Sequence, residues 1–169
     1  MRITLAELEL HRVTASESYA PGSLDYRGAE FRQAAPLKID ATAELVEQEI
    51  HIRGHLSTQL SASCDRCLAP VAIPVNCDFD LVYRPMHTIA KEEEIEVAAD
   101  EMEVGFYSGD GIELADVAIE QVILEVPMKV ICGPECHGLC PVCRVNRNLA
   151  HCECAPPQQD SPFASLKEE

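Results

Sequence analysis

There is no tryptophan in this sequence, and aromatic residues make up only 5% of it. Sequence-tolerant binders of unpaired nucleic acid stack successive bases on aromatic faces, so this shortage argues against a stacking RNA platform. Long apolar runs are missing too. The opening MRITLAELEL has no extended apolar core, and no stretch is long enough to cross a bilayer. The cytoplasm is therefore the expected compartment, with no membrane partner. Thiols stay reduced there, so the nine cysteines read first as metal ligands and only second as disulfides.

Basic residues are scarce: 13 Lys and Arg stand against 29 Asp and Glu, a net charge of −16. The imbalance is concentrated, with residues 91–126 carrying −11, against −4 before them and −1 after. Nucleic-acid affinity comes largely from Lys and Arg displacing counterions, which this surface opposes. The sparse basic patch is at Arg144 and Arg147. An acidic surface suits a basic partner, and it also simply keeps a protein soluble.

Catalytic motifs are absent as well. The chain has no GxGxxG, GxxxxGK, GxSxG or HExxH, and no HxE precedes its PxC sequences. Nothing assembles a nucleophile, a base and an oxyanion donor, so no enzyme is expected.

What is present predicts one core of α+β class in 169 residues. Apolar side chains alternate over residues 37–45, from Ile50 to Cys64, and again from Cys67 to Tyr83. Gly54 in the middle run suggests a bulge or a closely approaching neighbour. These runs predict an antiparallel β-meander over 37–83, with Cys64 and Cys67 at a tight turn. The acidic KEEEIEVAADEME reads as a mobile loop or solvated face, and Val104 and Phe106 as a short strand. Asp110 and Glu113 resemble a capping box opening one main helix from about Gly111 to Val126, ended by Pro127. Leu114, Val117, Ala118, Val122 and Leu124 would pack that helix on the sheet. The expected divisions are an α+β domain over 1–131, a Cys-rich zinc-binding segment over 132–155 and a flexible tail over 156–169.

The stretch CGPECHGLCPVCRVNRNLAHCEC carries the chemistry. A CxxC turn holds two sulfurs about one metal coordination sphere apart, and two pairs complete the tetrahedral thiolate set that Zn²⁺ favours. The preferred set is Cys140, Cys143, Cys152 and Cys154. Cys132 and Cys136 would then join Cys64 and Cys67 in a second zinc site, a pairing that spacing alone does not dictate. Cys132, Cys136, Cys140 and Cys143 fit one local site equally, and Cys64 and Cys67 could instead join Cys140 and Cys143. His137 and His151 read as solvent-facing loop residues, and Cys77 as a small buried apolar group. Thiol exchange through CDRC or CPVC is the weaker alternative, because neither opens a helix that would lower its pKa.

The CDRCLAPV hairpin, DLVYRP, the ELADVAIEQVILEVPMKVIC helix, GLCPVCRVNRN with paired cysteines after it, and the closing SPFASLK together resemble the YceD-type large ribosomal RNA subunit accumulation proteins. The resemblance runs from about residue 40 onward. It implies a non-enzymatic role in accumulation or assembly of the large ribosomal subunit, through its RNA or a ribosomal protein. Not all members keep the C-terminal cysteines, which implies that metal supports the fold. Arg144 departs from the glycine that commonly follows such a knuckle. The alternatives are a nucleic-acid-binding zinc module using Arg144 and Arg147, and a thiol redox protein.

Overall fold

The computed structural model describes residues 1–86 and 104–155. Residues 87–103, including all of KEEEIEVAADEME, and the tail over 156–169 with SPFASLK lie outside the described residues. The chain forms two compact units: Met1–Ala62 with Ala72–Met128, and Ser63–Val71 with Lys129–Glu169. The CDRC turn thus belongs with the cysteine-rich segment.

In the first unit the alternating runs become β4 (Leu37–Val46), β5 (Glu49–Ser63) and β6 (Pro70–Pro85). β4 and β5 pair antiparallel, with Ala41 opposite Gly54 in an unbroken register. The chain turns between them at Glu47, which takes φ 58°. Their inward sets, Leu37, Ile39, Ala41 and Ala43 against Ile50, Ile52, Leu56 and Leu60, are buried. Ile73, Val75 and Phe79 continue that face on β6, as the period-two pattern requires. Gly54 marks a close approach and not a bulge. A Cβ there would lie 2.6 Å from Cζ of Phe79, so the ring occupies the space a side chain would need.

Three further strands come from the N-terminal third, where the sequence carries little periodic signal. These are β1 (Arg2–Thr4), β2 (Val13–Tyr19) and β3 (Phe31–Gln33), with the short helix α1 (Leu5–Leu8) after β1. The main sheet has six strands in the order β2-β4-β5-β6-β7, where β7 is Val104–Tyr107, and β3 pairs with β5 off that path. β7 lies parallel to β6, so the sheet is mixed and not wholly antiparallel. The sequence separation between Pro85 and Val104 exceeds a hairpin and meets the length a parallel return needs. On β7 the buried side chain is Tyr107, and Phe106 is exposed.

The one long helix among the described residues, α2 (Leu114–Glu125), starts later than expected. Gly111–Glu113 instead form β8, which pairs antiparallel with β1, Ile112 opposite Ile3. A Cβ at Gly111 would collide with the Ile3 carbonyl, so the strand pairing depends on glycine. Asp110 makes no capping box; its carboxylate pairs with Arg2 at 2.5 Å, and its carbonyl accepts from the Leu5 N–H. The N-cap of α2 is Glu113, without a side-chain capping bond. The capping box of this chain is at α1, between Thr4 and Glu7. Leu114, Val117, Ala118, Ile119 and Val122 are buried on α2, whereas Leu124 is 75% exposed. Val126 takes an extended conformation before Pro127, which ends the helix.

Candidate metal centres

Among its described residues the second unit has almost no aliphatic core. Its buried cluster is Cys64, Cys67 and Cys136, with Ala69, Val71 and Leu139 packed against it. Sulfur therefore occupies the position that aliphatic side chains hold elsewhere.

Two turns of the same construction present the cysteine pairs. In the first, the Leu68 N–H donates to the Cys64 carbonyl at 2.9 Å, and the Cys64 N–H donates to the Ala69 carbonyl at 2.8 Å. In the second, the Arg144 N–H donates to the Cys140 carbonyl at 2.9 Å, and the Cys140 N–H donates to the Val145 carbonyl at 2.9 Å. The residue after each second cysteine is left-handed, with φ 61° at both Leu68 and Arg144. That conformation explains why glycine would be expected at position 144, and arginine holds it at a steric cost.

The remaining ligands are brought in by loops. The Asp65 N–H donates to the Val130 carbonyl, and the Val130 N–H returns a bond to the Asp65 carboxylate at 2.7 Å. This exchange holds Cys132 beside CDRC. Gly138, with φ 71°, lies against Arg66 where a Cβ would come within 3.0 Å of the Arg66 carbonyl oxygen. The Leu139 N–H donates to that same oxygen at 2.9 Å.

The result is two four-sulfur groups: Cys64, Cys67, Cys132 and Cys136, and Cys140, Cys143, Cys152 and Cys154. Within each group all ligand atoms lie within 4.8 Å of one another, close enough to hold a metal ion. Two sulfur pairs in the first group, Cys67–Cys132 at 3.6 Å and Cys64–Cys136 at 3.9 Å, bracket the ~3.8 Å edge of a tetrahedron with ~2.3 Å metal–sulfur bonds. They are far from the ~2.05 Å of a disulfide, and all nine cysteines are free. The two groups differ in exposure. Cys64, Cys67 and Cys136 are buried in the first, but only Cys140 in the second. His137 and His151 are exposed and belong to neither group; Cys77 is half-buried on β6.

The electrostatics fit a cation. Burial opposes ionisation of Cys64, yet the N–H groups of Arg66, Cys67 and Cys132 bring its thiol down to about 6. The N–H groups of Cys143 and Val142 do the same for Cys140, against burial, also to about 6. Another sulfur in each group moves the opposite way. Cys132, beside Cys136 and Cys67, is pushed up to about 12, and Cys154, beside Cys143, likewise to about 12. Four sulfurs this close ionise together only around a positive charge.

Sequence reasoning gave no role to Asn148. Its Nδ2 donates to Cys136 Sγ at 3.5 Å and its Oδ1 accepts the His137 N–H at 2.7 Å, so it orients a sulfur of the first group from the loop of the second. The signal was the NRN between the cysteine pairs, since asparagine favours turns and local backbone bonds.

The chain is 29% identical over 140 residues to an uncharacterized protein of Mycobacterium tuberculosis, covering 83% of this chain and 63% of that one. It is 24% identical over 160 residues to a Zea mays protein named large ribosomal RNA subunit accumulation protein YCED homolog 1, chloroplastic, covering 81% and 54%. With the uncharacterized protein YlbN of Bacillus subtilis the identity is 21% over 107 residues, covering 63% and 58%. The chain thus spans between half and two thirds of the length of these relatives. No solved structure matches it significantly. Among the described residues no helix is long and apolar enough to cross a membrane. The family model for large ribosomal RNA subunit accumulation protein YceD matches residues 52–168, which takes in both cysteine groups, and the chain belongs to that family.

Proposed function

We propose that this chain supports accumulation of the large ribosomal subunit and its RNA without catalysing a reaction, by holding a basic ribosomal protein until RNA receives it. Family membership carries the ribosomal part of this reading. Charge supports the choice of partner: the chain is at −16, and an acidic surface attracts a basic protein while repelling phosphate. The two four-sulfur groups are read as structural zinc sites, with Cys64, Cys67, Cys132 and Cys136 in one and Cys140, Cys143, Cys152 and Cys154 in the other. Soft thiolates in a tetrahedral set suit zinc, and four thiolates outweigh one divalent cation, so loading makes the protein more acidic. Bound there, the ion would supply folding energy to a unit with little apolar core.

Native mass spectrometry with and without a chelator counts the metals, and two are expected. Titration of ribosomal RNA and of isolated basic large-subunit proteins across a salt series then tests the partner. Tight RNA binding with no protein binding overturns the proposal. A second reading rests on Arg144 and Arg147, which are exposed and make no ion pair among the described residues. In it the second unit grips ribosomal RNA directly. Reversing both charges would then abolish RNA retention, and would leave it unchanged under the first reading.

A further inference from the structure

The parallel pairing of β6 and β7 sets Tyr83 opposite Gly105. A Cβ on Gly105 would lie 2.7 Å from Cδ1 and Cε1 of Tyr83, so the ring packs against the bare glycine, and the side chain is half-buried. Phe106, the next residue, is 45% exposed. Across from them α2 presents Asp116 and Glu120, one helical turn apart on a shared face. Both carboxylates are exposed, and neither makes an ion pair among the described residues. They are near enough to Tyr83 to add, after burial, to the upward shift of its hydroxyl.

These four side chains line one open cleft of about 310 Å³, with Arg2 and Arg27 among its other walls. Arg2 is committed to Asp110 and Glu113. The Arg27 guanidinium makes no ion pair among the described residues, while its backbone N–H donates to the Asp25 carboxylate at 3.0 Å and its φ is 56°. Two aromatic rings beside two uncompensated carboxylates complement a planar cation. A guanidinium stacks on an aromatic face and donates in a fork to a carboxylate, which the compact ammonium of lysine does not do as well.

We infer that this cleft is a binding site for an arginine side chain within a basic segment of a partner protein, stacked on Tyr83 and Phe106 and paired with Asp116 and Glu120. The inference rests on the reading that the partner is a basic protein, and it assigns that contact to the first unit. Arg27 sets a limit on affinity, because its charge opposes the incoming cation.

The test uses the metal-loaded full chain, titrated calorimetrically with an arginine-rich decapeptide, a lysine-rich one of equal charge, and isolated basic large-subunit proteins. The arginine peptide is expected to bind about five-fold or more tightly than the lysine peptide. Asp116→Asn with Glu120→Gln should weaken it about ten-fold, Phe106→Ala should erase the preference for arginine, and Arg27→Glu should tighten binding several-fold. The control removes two exposed charges elsewhere, Glu9→Gln with Glu30→Gln. If the control weakens binding as much as the cleft variants, or Arg27→Glu does not tighten it, the cleft is refuted while the basic-partner reading survives. If the unaltered protein binds neither peptide nor any basic ribosomal protein, both fall together.

Discussion

Replacing Arg144 by glycine should tighten metal binding at the second sulfur group. Arg144 follows the CPVC turn at φ 61°, where a residue with a Cβ costs ~1–2 kcal/mol. Glycine removes that cost but has more freedom to lose on ordering, which takes back ~0.5–1 kcal/mol. A net gain of ~0.5–1 kcal/mol corresponds to about a two- to five-fold tighter metal affinity, because ordering this turn and binding the ion are one event. Leu68 supplies the control, since it takes the same φ after CDRC, carries no charge and is 64% exposed. Leu68→Gly should produce a gain of similar size at the first group, which separates backbone relief from the loss of the arginine charge. Valine at either position should weaken binding, a β-branched residue being least tolerant of this region. Competition against a chromophoric chelator, one knuckle at a time, reads the shift. Unchanged affinity in both glycine variants together with unchanged affinity in both valine variants would refute the claim that the left-handed residue is strained.

Asn148→Ala should loosen the ion at the first group by about 10–100-fold, because it removes the Nδ2 donor to Cys136 Sγ; chelator competition resolving the two sites checks this, and equal loss at both would sink it. Gly54→Ala should destabilise the first unit by ~1–3 kcal/mol, since the new methyl group meets the Asp40 carbonyl oxygen as well as the Phe79 ring; denaturant unfolding measures it, and Phe79→Leu should recover only the part due to the ring. Burial, then Glu120 and Asp116, push the Tyr83 hydroxyl up from 10 to about 12. In the unfolded chain this proton leaves first, so the stability it contributes is complete below pH 10 and is lost as pH rises toward 12. Ultraviolet difference titration should show one tyrosine ionising last and missing in Tyr83→Phe; an unchanged curve in that variant contradicts the assignment.

The strands β4, β5 and β6 were legible because each buries one face, which writes a period of two into the residues. The N-terminal strands were not. β1 and β3 are only three residues long, too short for any period to repeat. The helix boundary failed for a related reason: Asp110 and Glu113 satisfy a local capping rule, but pairing of Gly111–Glu113 with Arg2–Thr4 outcompetes it, and no local pattern reports a partner more than 100 residues away. The parallel placement of β7 was hidden in the same way. Among the cysteines, residue type was sufficient to propose metal and spacing was sufficient to pair Cys140 with Cys143. Which pair meets which depends on the Asp65–Val130 exchange and on Gly138 against Arg66, contacts that spacing cannot encode.

The two sulfur groups differ in how much chain each encloses. The second draws all four ligands from residues 140–154 and can assemble as soon as that short segment exists. The first joins Cys67 to Cys132 and Cys64 to Cys136, across separations of 65 and 72 residues. Everything from β6 through α2 lies inside that loop. Closing a loop of this length in an unstructured chain costs ~4 kcal/mol, a cost that folding of the enclosed strands and helix removes in advance. A metal ion in the first group would therefore load onto a chain whose middle has already folded. One ion would then act locally, and the other as a seal on the completed protein.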